Sequence, residues 1–216
     1  MCTILCTGRD GLKYTLEIVK MGKLFCIMGK SSSGKDTLYR MLMEDKELNL
    51  QRVVPYTTRP IRSGETEGKE YHFTTQQEFR RLENEGKVVE SRCYHTCHGD
   101  WYYYTVDDGE IDFSDKDYLI IGTLESYNKT KEYFGDSVVV PLYVDLDDGE
   151  RLMRALSRER SQEEPKYKEM CRRFIADSED FCEEKIAEAG ITKRFYNEDL
   201  QQCLQEIREY MLQKEG

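Results

Sequence analysis

The run Gly29-Lys30-Ser31-Ser32-Ser33-Gly34-Lys35-Asp36-Thr37 constrains this chain more than any other stretch. Lys23-Leu24-Phe25-Cys26-Ile27-Met28 comes just before it, and this short apolar segment reads as a buried strand. Leu38 to Met43 comes just after it and reads as the opening turns of a helix. Strand, glycine-rich turn and helix form the setting that a phosphate-binding loop requires. Gly29 and Gly34 let the backbone wrap close to an anion, and the unpaired N–H groups of a helix start point at it. Lys35 adds a mobile point charge for β and γ phosphates. One residue departs from the motif. Asp36 stands where a Ser or Thr hydroxyl would bind Mg²⁺. A carboxylate is itself a hard oxygen ligand for Mg²⁺, but negative charge is also favourable at any helix N-terminus, so Asp36 carries two readings.

The 216 residues suffice for one sizeable core, or a core with a small inserted lobe. Net charge is -10, which argues against nucleic acid or an anionic membrane as partner. A phosphate site in so acidic a chain must concentrate its basic residues locally. No apolar run is long enough to span a membrane, and Met1 to Thr7 lacks a signal-peptide pattern, so a cytoplasmic protein is expected. The 8 cysteines are scattered and read as free thiols in a reducing compartment. Cys93, His95, Cys97 and His98 are closely spaced and raise the question of zinc, although their spacing matches no usual zinc pattern. A plain strand would also put Cys93, His95 and Cys97 on one face.

In chain order, residues 1–20 read as a hairpin turning at Gly8 to Gly11, and Val53-Val54 as a short strand ended by Pro55. The following loop holds Arg59 and Arg62 beside the hydroxyls of Thr57 and Thr58, with Tyr71 at its far end. Arginines and hydroxyls on a loop can clamp a second phosphate, though a solvated charged loop would look the same. Thr75 to Glu78 is a capping box opening a helix that stops at Gly86, and Lys87 to Arg92 is a strand. Asp117 to Ile121 and Asp136 to Val144 are buried strands, the second with Pro141 hinting at a bend. Asp147 to Arg160 reads as a helix on which Arg154 and Arg158 share a face. Leu200, Cys203, Leu204, Ile207, Tyr210 and Met211 form the apolar stripe of a last helix.

Thr58-Arg59, Arg62, Glu65, Gly68, Tyr71 and Phe73 stand at the spacing of the guanylate kinase signature, with the phosphate loop at the matching distance before them. From about Lys23 to the last helix the chain resembles that family. The resemblance implies an α/β P-loop kinase fold with a parallel-sheet core, a small mixed α/β lobe for the nucleoside monophosphate, and a helical lid. The divisions expected are 1–20 as a hairpin extension, 21–54 and 116–216 as core with a lid at about 154–172, and 55–115 as the GMP-binding lobe. It implies Mg²⁺-dependent phosphoryl transfer from ATP to GMP by a monomer or a homodimer. Gly29 to Thr37 and Asn197 would hold ATP, with Asp36 as the metal ligand. Arg59, Arg62, Tyr71 and Tyr103 would hold the GMP phosphate; Glu90 and Thr105 would read guanine. Lys35, Arg154, Arg158 and Arg173 would act on the transferred group. Glu90 makes chemical sense there, since a carboxylate accepts both the N1–H and the exocyclic amine of guanine, whereas adenine offers an acceptor at N1.

The chain also departs from the family. Gly99 to Thr105 has one residue more than the family's pattern, so Tyr102 could take the role assigned to Tyr103, and the aromatic cluster could equally be lobe packing. Gly122 and Leu124 stand where the family ends a strand in Asp-x-Asp, with Glu125 one position out of register. Pairing this loss with Asp36 suggests that the magnesium-side carboxylate has moved from the strand end to the phosphate loop. Pro55 replaces a serine of the family, and Ser161 to Pro165 departs from its lid turn. Two other readings therefore stand beside the kinase: a protein-interaction module of the same fold, and a kinase with a different phosphorylated acceptor.

Overall fold

The computed structural model describes residues 21–96 and 99–214, and the backbone of residues 2–7 and 13–18. The centre is a five-stranded, wholly parallel sheet. Numbered along the chain after strands β1 (Cys2–Thr7) and β2 (Lys13–Ile18), its strands are β3 (Leu24–Met28), β4 (Gln51–Arg52), β9 (Tyr118–Ile121), β10 (Val139–Asp145) and β11 (Arg194–Tyr196), in the order β11-β10-β3-β9-β4. All five residues of β3 are buried. A parallel sheet covered on both faces needs that continuous apolar run rather than alternation.

Successive side chains of β3 go to opposite faces. Phe25 and Ile27 join Leu38 and Leu42 of α1 (Lys35–Glu44) and Cys203, Ile207 and Met211 of α7 (Leu200–Lys214). Leu24, Cys26 and Met28 join Leu124 and Tyr127 of α3 (Leu124–Phe134) and Ile186 of α6 (Glu183–Glu188). The expected strand at Val53-Val54 lies instead at Gln51–Arg52, because only those residues find partners, Tyr118 and Leu119, on the sheet edge. Val53 and Val54 carry the chain out of the core. Pro141 is tolerated inside β10 because β11 pairs only with Tyr143 to Asp145, so the missing N–H opens on an unpaired stretch.

The lobe is a four-stranded sheet ordered β6-β5-β8-β7, from β5 (Tyr56–Thr57), β6 (His72–Phe73), β7 (Val88–Thr96) and β8 (Gly99–Val106). It is backed by α2 (Gln76–Asn84), whose N-cap Thr75 accepts from the Glu78 N–H at 3.1 Å. Alternation along β8 sorts the aromatic cluster. Tyr102 stacks on Phe79 of α2 with ring centres 4.4 Å apart and Tyr104 packs against it at a tilt at 4.8 Å, which leaves Trp101, Tyr103 and Thr105 for the opposite face. Helices α4 (Asp148–Arg160) and α5 (Tyr167–Asp180) make a helix–turn–helix over the phosphate loop. Strands β1 and β2 pair antiparallel, Cys2 with Ile18 through Thr7 with Lys13; the turn expected at Gly8 to Gly11 lies outside the described residues.

Candidate active site

The phosphate loop spans the end of β3 and the start of α1, and its shape is set by close backbone approaches. A Cβ on Gly29 would lie 2.3 Å from the Val144 carbonyl oxygen, and one on Gly34 would lie 2.1 Å from Asn197 Nδ2. Gly34 has φ 90° as the residue that opens α1, a conformation L side chains avoid. Ser32 also sits in the left-handed region, at φ 65°, without that freedom. Asn197 is buried and donates from Nδ2 to the Ser33 carbonyl at 2.7 Å. Its own carbonyl accepts from Arg154 Nη2 at 3.0 Å. Ser32, Gly34, Asp36, Thr37, Arg154, Arg158 and Asn197 line one groove of about 470 Å³. Arg158 and Arg173 meet at a second, narrow crevice against Ser31 and Ser32. Arg173 is held there by Glu169 at 3.0 Å.

A residue that the sequence reading passed over joins the loop to this helical pair. Arg151 of α4 is fully buried. Its Nε donates to the Ser31 carbonyl at 3.1 Å, and Nη2 lies 3.3 Å from Asp177 of α5. Asp177 in turn accepts from the Ser31 N–H at 2.7 Å. Asp148 pairs with Arg151 and, at 3.3 Å, with Lys30. The first half of the phosphate loop is therefore tied to both helices by buried charge. Nothing in residue spacing joins positions 31, 151 and 177; only the fold does.

Lys35 is mostly covered, with Nζ 3.7 Å from the carboxylate of Asp36, whose side chain is 79% exposed. The donors here fit Mg²⁺. Asp36 and the Thr37 hydroxyl are hard oxygen groups lining the groove beside Lys35, and Mg²⁺ needs only one or two carboxylates because phosphate oxygens and water complete its shell. Gly122 has no room for a carboxylate. A Cβ there would stand 2.5 Å from Ser126 Oγ, which is engaged in the capping box of α3 with Thr123. Leu124 is buried in the core. Glu125 pairs with Lys129 at 2.7 Å and lines a neighbouring groove rather than the acceptor pocket, so it does not stand in for the missing aspartates.

A separate cavity of about 540 Å³ opens between the lobe and the core. Tyr71, Glu90, Tyr103 and Thr105, expected from the sequence, all line it. So do Arg52, Arg92, Tyr94 and Trp101, which were not expected. Tyr102 does not; its hydroxyl accepts from Arg80 at 3.0 Å on the other side of the sheet. Glu90 is buried, and Thr105 Oγ1 donates to its Oε1 at 3.0 Å. Burial raises the pKa of Glu90, and the Arg92 charge, 3.4 Å from Oε2, opposes the rise.

Arg59 lies behind the tyrosines rather than in the cavity. Its guanidinium grips Glu65 through two hydrogen bonds of 2.5 and 2.7 Å, donates to the Pro60 carbonyl, and lies 5.1 Å from the ring centre of Tyr71. That contact holds Glu65 at about 2, well below the usual carboxylate range. Arg62 is exposed on the loop outside the cavity. Cys93, His95 and Asp100 bring ligand atoms within 4.8 Å of one another at the far end of β7 and β8, where His95 and Asp100 already pair at 2.7 Å. Cys97 and His98 lie outside the described residues.

Comparisons with known proteins agree with this geometry. The guanylate kinase family model matches residues 21–107, which hold the phosphate loop and the lobe. The guanylate kinase of Porphyromonas gingivalis is 29% identical over 197 residues, 89% of this chain and 98% of that protein. The guanylate kinase of Caldanaerobacter subterraneus is 32% identical over 128 residues, 58% of this chain and 59% of the relative. In fold, the chain is similar to the crystal structure of guanylate kinase from Anaplasma phagocytophilum, with a TM-score of 0.57 at 21% identity over 91% of this chain and 87% of that one. A phosphate loop facing a lobe with a buried carboxylate, in a sequence alignable along nearly the whole of one such enzyme, makes this chain similar to the guanylate kinases.

Proposed function

We propose that this protein transfers the γ-phosphoryl group of ATP to GMP, giving ADP and GDP. The observation that carries the reading is Glu90, a buried carboxylate facing a cavity on the acceptor side of a phosphate-loop fold. Burying a carboxylate is costly unless something matches it, and the N1–H and exocyclic amine of guanine do so.

In this reading residues 21–54 and 116–216 form the core and 55–115 the acceptor lobe. The loop amides from Gly29 to Thr37 and Lys35 hold the ATP phosphates, with Asn197 fixing the loop from behind. Asp36 holds Mg²⁺, which screens the phosphate charges when bound. Tyr71 and Tyr103 hold the GMP phosphate, Arg59 stiffens both rings and adds charge, and Arg62 swings in from the loop. A phosphate oxygen of GMP attacks the γ phosphorus in line, the bond to the β–γ bridging oxygen breaks, and ADP leaves with that electron pair. Arg154, Arg158 and Arg173 neutralise the charge that builds on the transferred group, as arginine fingers do. Closure of the helices over about 154–172 excludes water and prevents idle ATP hydrolysis. Both pockets belong to one chain, so a monomer has the full set. Free Cys26, Cys93, Cys171, Cys182 and Cys203 suit a reducing cytoplasm.

A coupled assay of ADP release with ATP and Mg²⁺, run in parallel on GMP, dGMP, AMP, CMP and UMP, tests this. GMP-dependent turnover supports it. Preference for another acceptor would change the substrate, and ATP binding without turnover on any of them would favour an interaction module. The role of Asp36 has its own test. If Asp36 holds Mg²⁺, Asp36→Asn raises the Mg²⁺ concentration needed for half-maximal turnover; an unchanged Mg²⁺ requirement sinks that role.

A further inference from the structure

We propose that Arg92 reads the O6 edge of the acceptor's base, so that guanine is recognised by a carboxylate and a guanidinium standing side by side. The proposal rests on the acceptor being GMP.

Glu90 and Arg92 are two residues apart on β7, so their side chains leave the same face of the strand, and both line the acceptor cavity. Their charged atoms stand 3.4 Å apart, yet neither Glu90 Oε2 nor Arg92 Nε has a hydrogen-bond partner among the described residues, and both atoms are buried. Buried polar atoms left unpaired are costly. A pair held this close without bonding is open to a ligand that satisfies both.

The other donor expected at the base is already engaged. A hydroxyl has one proton to give, and Thr105 gives its proton to Glu90 Oε1. Thr105 therefore fixes the carboxylate and is not the donor to O6. From the end of β9 and from α3 the cavity takes Ile121, Ser126 and Thr130, none of them a carboxylate, and Leu124 is buried in the core; besides Glu90 the lining holds the carboxylate of Glu70.

The base edge fits what remains. Guanine presents two donors, the exocyclic amine and N1–H, followed by two acceptors, O6 and N7. Glu90 accepts from the first two. Arg92 donates to O6, the pairing arginine commonly makes with guanine. Adenine fails at both places: its N1 lone pair faces the carboxylate and its 6-amine faces the guanidinium.

The test compares kcat/KM for GMP, 6-thio-GMP, IMP and AMP in the wild type, Arg92→Met and Arg92→Lys. 6-Thio-GMP keeps N1–H and the amine but weakens the acceptor at position 6. IMP keeps O6 and loses the amine that Glu90 reads. The wild type should favour GMP over 6-thio-GMP by roughly tenfold or more. In Arg92→Met that ratio should fall towards one while the GMP to IMP ratio holds, and AMP should gain relative to GMP. Arg92→Lys, which keeps one donor, should fall between. Equal losses for GMP and 6-thio-GMP in Arg92→Met would mean a structural role only, and unchanged values would mean no role; either overturns the proposal. If the wild type does not turn over GMP, the kinase reading falls by itself. Calorimetric Kd values for GMP and 6-thio-GMP then decide the Arg92 assignment, and a ratio equal in wild type and Arg92→Met overturns it.

Discussion

The donor groove and the acceptor pocket are built by opposite means. The donor groove is mostly backbone. Nine consecutive residues make its floor, and their shape depends on where a Cβ cannot fit, as at Gly29 and Gly34. The acceptor pocket is mostly side chain. Its lining comes from Tyr71, Glu90, Tyr103 and Thr105, on a loop and two strands, and depends on the pairing of β7 with β8. A bulge between Val88 and Glu90 sets Glu90 opposite Thr105. A one-residue slip would turn Tyr102 and Tyr104 into the cavity instead. Backbone grooves suit a ligand part common to all nucleotides; side-chain pockets suit the part that differs.

Mutations should separate the halves in that sense. The largest effect belongs to the donor side. Lys35→Ala should lower kcat by ~10³-fold or more, the scale of losing a cation on the transferred phosphate, while calorimetry finds GMP affinity within a few fold of wild type. Joint loss of GMP binding would show that the halves are not independent. Next, Glu90→Gln should cut kcat/KM for GMP by ~10²-fold or more, because a pocket built to hydrogen-bond its substrate discriminates strongly. Its pH dependence carries the sign. Burial raises the Glu90 pKa, so the free pocket holds a protonated acid at low pH, and KM for GMP should fall as pH rises through that pKa. The glutamine variant should lack this titration.

Stability predictions follow. Arg151→Met leaves the Asp177 carboxylate beside Ser31 without its cation and should destabilise by about 3 kcal/mol, as broken buried pairs do. Adding Asp177→Asn should recover part of that in thermal melts, and simple additivity would show that the two do not act as a pair. On the acceptor side, Glu65 is held at about 2 against an ordinary 4.5, chiefly by hydrogen bonds from Arg59. A depressed acid stabilises the fold above its unfolded pKa and loses that contribution as pH falls through its folded one. The stability gap between wild type and Glu65→Gln should therefore be full at neutral pH and shrink between 4.5 and about 2. The smallest effect returns to the loop. Ser32→Gly relieves φ 65° and should stabilise by about 0.5 kcal/mol, the left-handed penalty less the entropy of a new glycine. A loss instead would mean that the buried Ser32 hydroxyl has a role of its own.

Legibility in the sequence follows the same division. The phosphate loop was readable because strand, turn and helix are consecutive and their periods differ. The buried strands were readable from continuous apolar runs such as Leu24 to Met28, and the family resemblance implied that they lie parallel. The choice between Tyr102 and Tyr103 was not, since both fit a pattern with one extra residue, and it was decided by which face of β8 packs on Phe79. Arg92 was within reach, because two positions from Glu90 on a strand means the same face. The shift of the short strand from Val53-Val54 to Gln51–Arg52 was not, because strand propensity does not say which residues find a sheet edge.

By itself the sequence determined the elements whose cause is local: a glycine-bounded anion loop, strands buried on both faces, and capped helices with an apolar stripe. The family signature from Thr58 to Phe73 also belongs to it. Only the tertiary structure decided which distant charges meet. It brought Arg151 and Asp177 to Ser31, and Arg92 beside Glu90 with Thr105 already engaged. The reason is physical. Local conformation depends on neighbours within a turn or two, whereas the partner of a buried charge is set by where the sheet and helices carry it, and position along the chain holds no record of that.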